Sequence, residues 1–161
     1  MQHGLARPQA EDPEEGLSEA GRAQIEASGR ALKRLGLELD LILASPKKRS
    51  RQSAEIVARA LGLGPEGIVQ TEAVRAKAPA EETLVFLQGL AGRRAVLIAG
   101  HLPSLGLTAA FLLTRGAPLP VAVENGAVMR LDLERLEPGA AVLQWYLRRD
   151  QLGLLAGGGP A

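Results

Sequence analysis

Apolar and polar residues follow each other along this chain in two rhythms, and the rhythm changes several times. "LSEAGRAQIEASGRALKRLG", Leu17 to Gly36, reads as a helix, with Ser18 placed to cap its start and Gly36 placed to stop it. "LDLILAS", Leu39 to Ser45, is a short apolar run ending in a turn signal, the pattern of a buried strand. A second helix is expected to start from Ser45 as N-cap, with Pro46 in the first helical position and Gly62 as its stop. Within it Ala54, Val57, Ala58 and Leu61 recur at i, i+3, i+4 and i+7 and form one apolar stripe. "GIVQTE", Gly67 to Glu72, reads as a weaker strand, and "AEETLVFLQGLAG" as a helix ending near Gly92. "AVLIAG", Ala95 to Gly100, is apolar throughout, as a parallel strand covered on both faces must be. "PSLGLTAAFLLTRG" is a helix opened by Pro103, and "AVMRLDL" and "VLQWYLR" are two late strands.

Strand and helix signals that alternate in this way predict an α/β fold, a three-layer α/β/α sandwich with a mainly parallel sheet and an antiparallel edge element. One domain is expected over residues 1–152, followed by a flexible tail over 153–161, "GLLAGGGPA".

Composition then removes whole classes of function. The 161 residues carry a net charge of +1, which leaves no electrostatic footprint for a nucleic-acid partner. The absence of cysteine removes disulfides, thiolate metal sites and a cysteine nucleophile together. No apolar run approaches the roughly 20 residues that span a bilayer, and no signal peptide pattern precedes the domain. The expectation is a cytoplasmic protein without a membrane partner; its oligomeric state is left open.

The chemistry rests on few residues. The chain has two histidines, His3 in "QHG" and His101 in "AGH", the latter just past the carboxyl end of the strongest strand. In open α/β sheets ligands bind outside those ends, although a histidine there is more often structural. Arg49 lies in the first turn of the helix after "LDLILAS", where its side chain and the helix N-terminus suit an anion. Its neighbours Lys47, Lys48 and Arg51 read as a solvated basic face.

"QHG", "SPKKRSRQSAE", "IAGHLPSLG" and "LSEAGRAQ" together resemble signature blocks of the histidine phosphatase superfamily, in matching order and spacing over nearly the whole chain. The short length and the "GHLPSLG" wording are most similar to the small phosphohistidine phosphatase branch. The resemblance implies a phosphoglycerate-mutase-like fold and a metal-independent phosphatase without a cofactor. Its substrate would be phosphohistidine in a protein; a small phosphorylated molecule is the alternative. It implies His3 as nucleophile, attacking phosphorus to give a phosphohistidine that water hydrolyses. Arg49 and His101 would bind the equatorial phosphoryl oxygens, and His101, if protonated, would add positive charge and a hydrogen bond. Gln2 and Gly4 would complete the phosphate site.

Three departures qualify this. Gln2 stands where the family has arginine. The family's general-acid position falls on Ala76, with Glu72 close by, and a site without an acid favours good leaving groups such as phosphoramidates. The family also carries roughly four or five apolar residues before the first motif, enough for a short strand, and none are present here. The expectation follows that a central strand is missing, that Met1 is not the natural start, and that His3 sits on a mobile end. A degenerate, non-catalytic phosphoryl- or partner-binding relative is therefore kept as a further alternative. Asn125 is a candidate substrate contact by the resemblance, although Asn125-Gly126 between apolar stretches reads first as a hairpin turn.

Overall fold

A computed structural model of the chain describes residues 1–90 and 92–157. Helix α1, Glu19–Arg34, starts where Ser18 Oγ accepts a hydrogen bond from the Gly21 amide, and Lys33 and Arg34 sit in its last turn, where the helix dipole favours cations. Strand β1, Leu41–Ala44, leads into α2, Lys48–Leu61. Then come β2, Ile68–Gln70; α3, Ala80–Gln88; β3, Val96–Ala99; and α4, Ser104–Thr114. The antiparallel pair β4, Val128–Leu133, and β5, Ala141–Leu147, is followed by α5, Arg149–Leu155.

The order β2-β1-β3 makes a three-stranded parallel sheet, with Ile42 opposite Ile68 on one side and Leu97 on the other. Successive strand residues point to opposite faces, so the sheet feeds two cores. Ile42, Ala44, Leu97 and Ala99 pack with Ile25, Val57 and Leu152 from α1, α2 and α5. Leu41, Leu43, Val96 and Ile98 pack with Val74 and Leu87 on the α3 side. These are the three expected layers. β4 and β5 form a separate two-stranded sheet. Among the described residues no helix is long and apolar enough to cross a membrane.

Several boundaries move from their expected places. α2 is capped at Lys47 rather than Ser45. The Ser45 amide is instead satisfied by Ser50 Oγ at 3.0 Å. α3 ends at Gly89, short of Gly92. Asn125-Gly126 joins no two strands; β4 begins after it, and β4 and β5 are joined through residues 134–140. Residues 153–155 continue α5, and Ala156 packs into the main core, because Leu152 and Ala156 are the buried face of that short helix. Residues 158–161 of the expected tail lie outside the described residues.

The chain start is not mobile. The Met1 amino group donates to the Ile98 carbonyl at 2.8 Å. The Gly100 amide donates to the Met1 carbonyl at 3.1 Å, and the His3 amide to the Gly100 carbonyl at 3.2 Å. On the other side the Gln2 amide reaches the Ala127 carbonyl, and the Gly126 amide the Gln2 carbonyl, both at 3.2 Å. Residues 1–3 thus fill one end of the place between β3 and the segment entering β4. A groove of about 890 Å³ occupies the rest.

Candidate active site

Four separate stretches bring their polar side chains to the carboxyl ends of the parallel strands. His3 follows the paired residues Met1 and Gln2, Arg49 lies in the first turn of α2 after β1, and His101 follows β3. Asn125 precedes β4. Serines fix them in relation to each other. Ser50 Oγ donates to the Ala99 carbonyl at 2.6 Å and ties α2 to the end of β3. Ser53 Oγ accepts from the Gly4 amide at 3.2 Å and donates to the Arg49 carbonyl at 2.7 Å. Gly4 has no room for a side chain, since a Cβ there would lie 2.5 Å from the Gly21 carbonyl oxygen.

The contacts of His3 select one protonation state. Its Nδ1 lies 2.7 Å from the Gly4 carbonyl, which can only accept, so Nδ1 carries the proton. Nε2 is left with its lone pair, which accepts from Arg49 Nε at 3.1 Å. Burial, chiefly, and the Arg49 charge hold the His3 pKa below the usual histidine value, with the Gly4 carbonyl opposing them. The ring of His101 stands 4.8 Å from that of His3, centroid to centroid. His101 is 2% exposed, and burial together with His3 and Arg49 pushes its pKa down to about 3. His101 is therefore neutral in the unliganded site. Two buried polar atoms here, His101 Nε2 and Gln2 Oε1, have no hydrogen-bond partner among the described residues. Asn125 Nδ2 donates to the His3 carbonyl at 2.9 Å.

One residue of the site had not been singled out. Glu15 Oε2 accepts from Arg49 Nη1 at 3.0 Å, with Lys47 Nζ at 3.8 Å. The Arg49 guanidinium holds its carboxyl below the usual range. Glu15 is held there by its loop, with a left-handed backbone at φ 49°. Asp12 accepts from the amides of Glu14 and Gly16 and from Lys48 Nζ, the last at 3.1 Å. Lys48 is therefore not free surface charge but an anchor of this loop. The only sequence signal for Glu15 was its place in a polar turn, "DPEEG", just ahead of Leu17. Glu72, the expected alternative acid, is exposed in a short 3-10 turn, Glu72–Val74.

The Arg49 guanidinium meets His3 Nε2 in one spot, with the His101 ring beside it. That spot combines a nucleophilic lone pair, a buried imidazole nitrogen and a permanent cation, the complement of a tetrahedral oxyanion.

Comparison with known proteins finds relatives of the chain and of its fold. Residues 3–76 match the family model described as histidine phosphatase superfamily (branch 1). An uncharacterised protein of Picosynechococcus sp. is 34% identical over 114 residues, covering 66% of this chain and 66% of that protein, just under two thirds of its length. The structure of the protein histidine phosphatase SixA complexed with tungstate superimposes with a TM-score of 0.82 at 25% identity, covering 92% of this chain and 94% of that one. A structure from Agrobacterium tumefaciens carrying the SixA phosphohistidine phosphatase name gives a TM-score of 0.74, also at 25% identity and with the same coverage.

Proposed function

Because the chain belongs to the histidine phosphatase superfamily, among its SixA-like members, we propose that it is a metal-independent cytoplasmic phosphatase with His3 as nucleophile, acting on phosphohistidine in proteins. One observation carries the reading. His3 has its Nδ1 proton held by Gly4 and its Nε2 lone pair turned to Arg49 at 3.1 Å, beside the His101 ring.

The steps follow from these contacts. A phosphoryl group enters between His3, His101 and Arg49. Arg49 exchanges its contact with Nε2 for the equatorial oxygens, and His101 Nε2, carrying the proton of the neutral ring, donates to another. His3 Nε2 attacks phosphorus in line, the bond to the leaving group breaks, and the leaving group takes the bonding pair. The new N-phosphoryl imidazolium is positive, and the Nδ1–H bond to the Gly4 carbonyl stabilises it. Water then attacks phosphorus from the vacated side. The nitrogen–phosphorus bond returns its electron pair to Nε2, and a proton of the water leaves with phosphate or solvent. The carboxylate at the site, Glu15, is held ionised by Arg49, so it is a poor proton donor. Leaving groups that depart without a proton from the enzyme are favoured, and the imidazole of phosphohistidine is one.

A second reading has a specific observation in its favour. Glu15 balances the charge of Arg49, and Gln2 adds none. Such a site could hold a phosphoryl group without turning it over. A substrate panel separates the readings. Turnover should fall from a phosphohistidine protein to an aryl phosphate to an alkyl phosphate. Equal turnover of alkyl phosphates would make it a small-molecule phosphoester phosphatase. Binding without turnover of any of them would make it a phosphoryl-binding relative.

A further inference from the structure

Glu15 ends a short line of contacts that begins at the nucleophile. His3 Nε2 accepts from Arg49 Nε at 3.1 Å, and Arg49 Nη1 donates to Glu15 Oε2 at 3.0 Å, so the carboxylate stands one guanidinium away from the attacking nitrogen. Exposure rises along the same line. Both histidines are buried, the Arg49 side chain is 13% exposed and that of Glu15 36%. The site therefore opens on the Glu15 side. We infer, on the reading of the site just given, that Glu15 is a specificity-determining residue whose carboxylate accepts a hydrogen bond from the ring N–H of the leaving imidazole of phosphohistidine.

Half of the carboxylate is free for this. Its contacts with Arg49 and Lys47 both fall on Oε2, and among the described residues Oε1 has no partner. An ionised carboxylate only accepts hydrogen bonds, and Arg49 keeps this one ionised. It repels a phosphoryl oxygen, so Oε1 has to meet the other half of the substrate, the leaving group. Leaving groups are sorted by what they offer it. An aryl or alkyl oxygen bonded to phosphorus brings no N–H or O–H. An imidazole ring bonded to phosphorus through one nitrogen brings the other, and in its protonated form it is a cation as well, which makes the bond a strong one.

Arg49 can serve both halves. Its guanidinium has five N–H donors, so Nη1 can keep Glu15 while the others turn to phosphoryl oxygens. The loop also holds Glu15 without help from Arg49. Glu15 has its left-handed backbone at φ 49°, and Asp12 ties the turn by accepting from the Gly16 amide at 3.0 Å and from Lys48 Nζ at 3.1 Å.

The reaction balances without an acid on the enzyme. The far ring nitrogen takes its proton from solvent before binding, and Glu15 favours that form. His3 Nε2 bonds to phosphorus, the phosphorus–nitrogen bond of the substrate breaks, and its electron pair returns to the ring nitrogen. The ring leaves as neutral imidazole with the proton still on its far nitrogen. Glu15 accepts a hydrogen bond throughout and transfers no proton.

The test compares wild type with Glu15→Gln, which keeps the shape and removes the charge. The ratio of kcat/KM for a phosphohistidine peptide to kcat/KM for para-nitrophenyl phosphate is expected to fall at least about tenfold in the variant. Equal losses on both donors would make Glu15 a support of the site, and equal gains would make it only a competitor for Arg49; either overturns the inference. A binding measurement stands apart from turnover. Tungstate is titrated by calorimetry with and without imidazole at about pH 6, where most free imidazole is protonated. Imidazole is expected to tighten tungstate binding at least about threefold in wild type and not in Glu15→Gln. No tightening in wild type, or the same tightening in both, overturns the inference. If the wild-type chain turns over neither donor, the functional reading fails, and the calorimetry alone decides whether Glu15 takes an imidazolium.

Discussion

His3, Arg49 and Lys48 lie close together in the fold but have different partners, so their substitutions should separate cleanly. His3→Ala should abolish turnover, since it removes the Nε2 lone pair that faces Arg49. Arg49→Ala should cost about 100-fold or more in kcat, the loss of one transition-state contact. Lys48 turns to Asp12 and Glu14, so Lys48→Ala should cost at most about threefold, an exposed-pair effect. Steady-state kinetics on one phosphodonor checks all three. Glu15 gives a further prediction. It competes with any anion for Arg49, so Glu15→Gln should tighten tungstate or phosphate binding about five- to tenfold, measured by titration calorimetry; weaker binding would mean that Glu15 helps to assemble the site. The pH dependence follows from His3. Its pKa lies below the usual value of 6.5, so the neutral nucleophile persists as pH falls and the acid limb of kcat/KM should lie below 6.5. At this scale the nearness of Arg49 and His101 was legible, since one starts α2 after β1 and the other follows β3; the firm seat of His3 was not, because it rests on bonds from the chain start to Gly100 and Ala127, far away in sequence. Glu15 was not, because its approach to Arg49 depends on one left-handed residue and on the Asp12–Lys48 anchor.

The elements with clear periodicity stand where the pattern puts them. α1 and β1 keep their expected positions because Ser18 and the apolar run each have a local cause. The start of α2 shifted because Ser50 takes the Ser45 amide, a pairing across five residues that periodicity does not reveal. Asn125-Gly126 was misread as a hairpin because its turn is set by tertiary contacts: the Gly126 carbonyl accepts from Ser28 Oγ at 2.9 Å and Asn125 bonds His3. α5 was missed because two buried residues in a Gly-rich stretch leave little pattern. Packing between α1 and the loop after His3 yields a sharp test. A Cβ on Gly21 would run into the Leu5 carbonyl. Gly21→Ala should therefore cost about 1–3 kcal/mol and lower Tm by roughly 3–10 °C, although alanine is the better helix former.

At the scale of the whole molecule, the layer architecture was legible from the order of elements, whereas the division into two sheets was not. It depends on long-range pairing, since only the isolated Gln2–Gly100 bridge lies beside β3 on the side of β4. The same region governs pH stability. The Met1 amino group drops from 8.0 in its ordinary state to about 5 in the fold, and His101 from 6.5 to about 3. Between those values the unfolded chain binds the protons and the folded chain does not, so stability is lost as pH falls. Tm should decline from pH 8 toward 5 through the amino group and onward to pH 3 through His101, a trend that thermal melts across buffers would check. The claim on which the rest depends is that His3 Nε2 takes the phosphoryl group. The direct measurement is to mix the protein with a labelled phosphodonor, quench in alkali, where phosphohistidine survives, and locate the label by peptide mass spectrometry. The account predicts one phosphoryl group on His3, lost on longer incubation and absent from His3→Ala. Turnover of the donor with no label on His3 at any time, or with label on another residue, would contradict it.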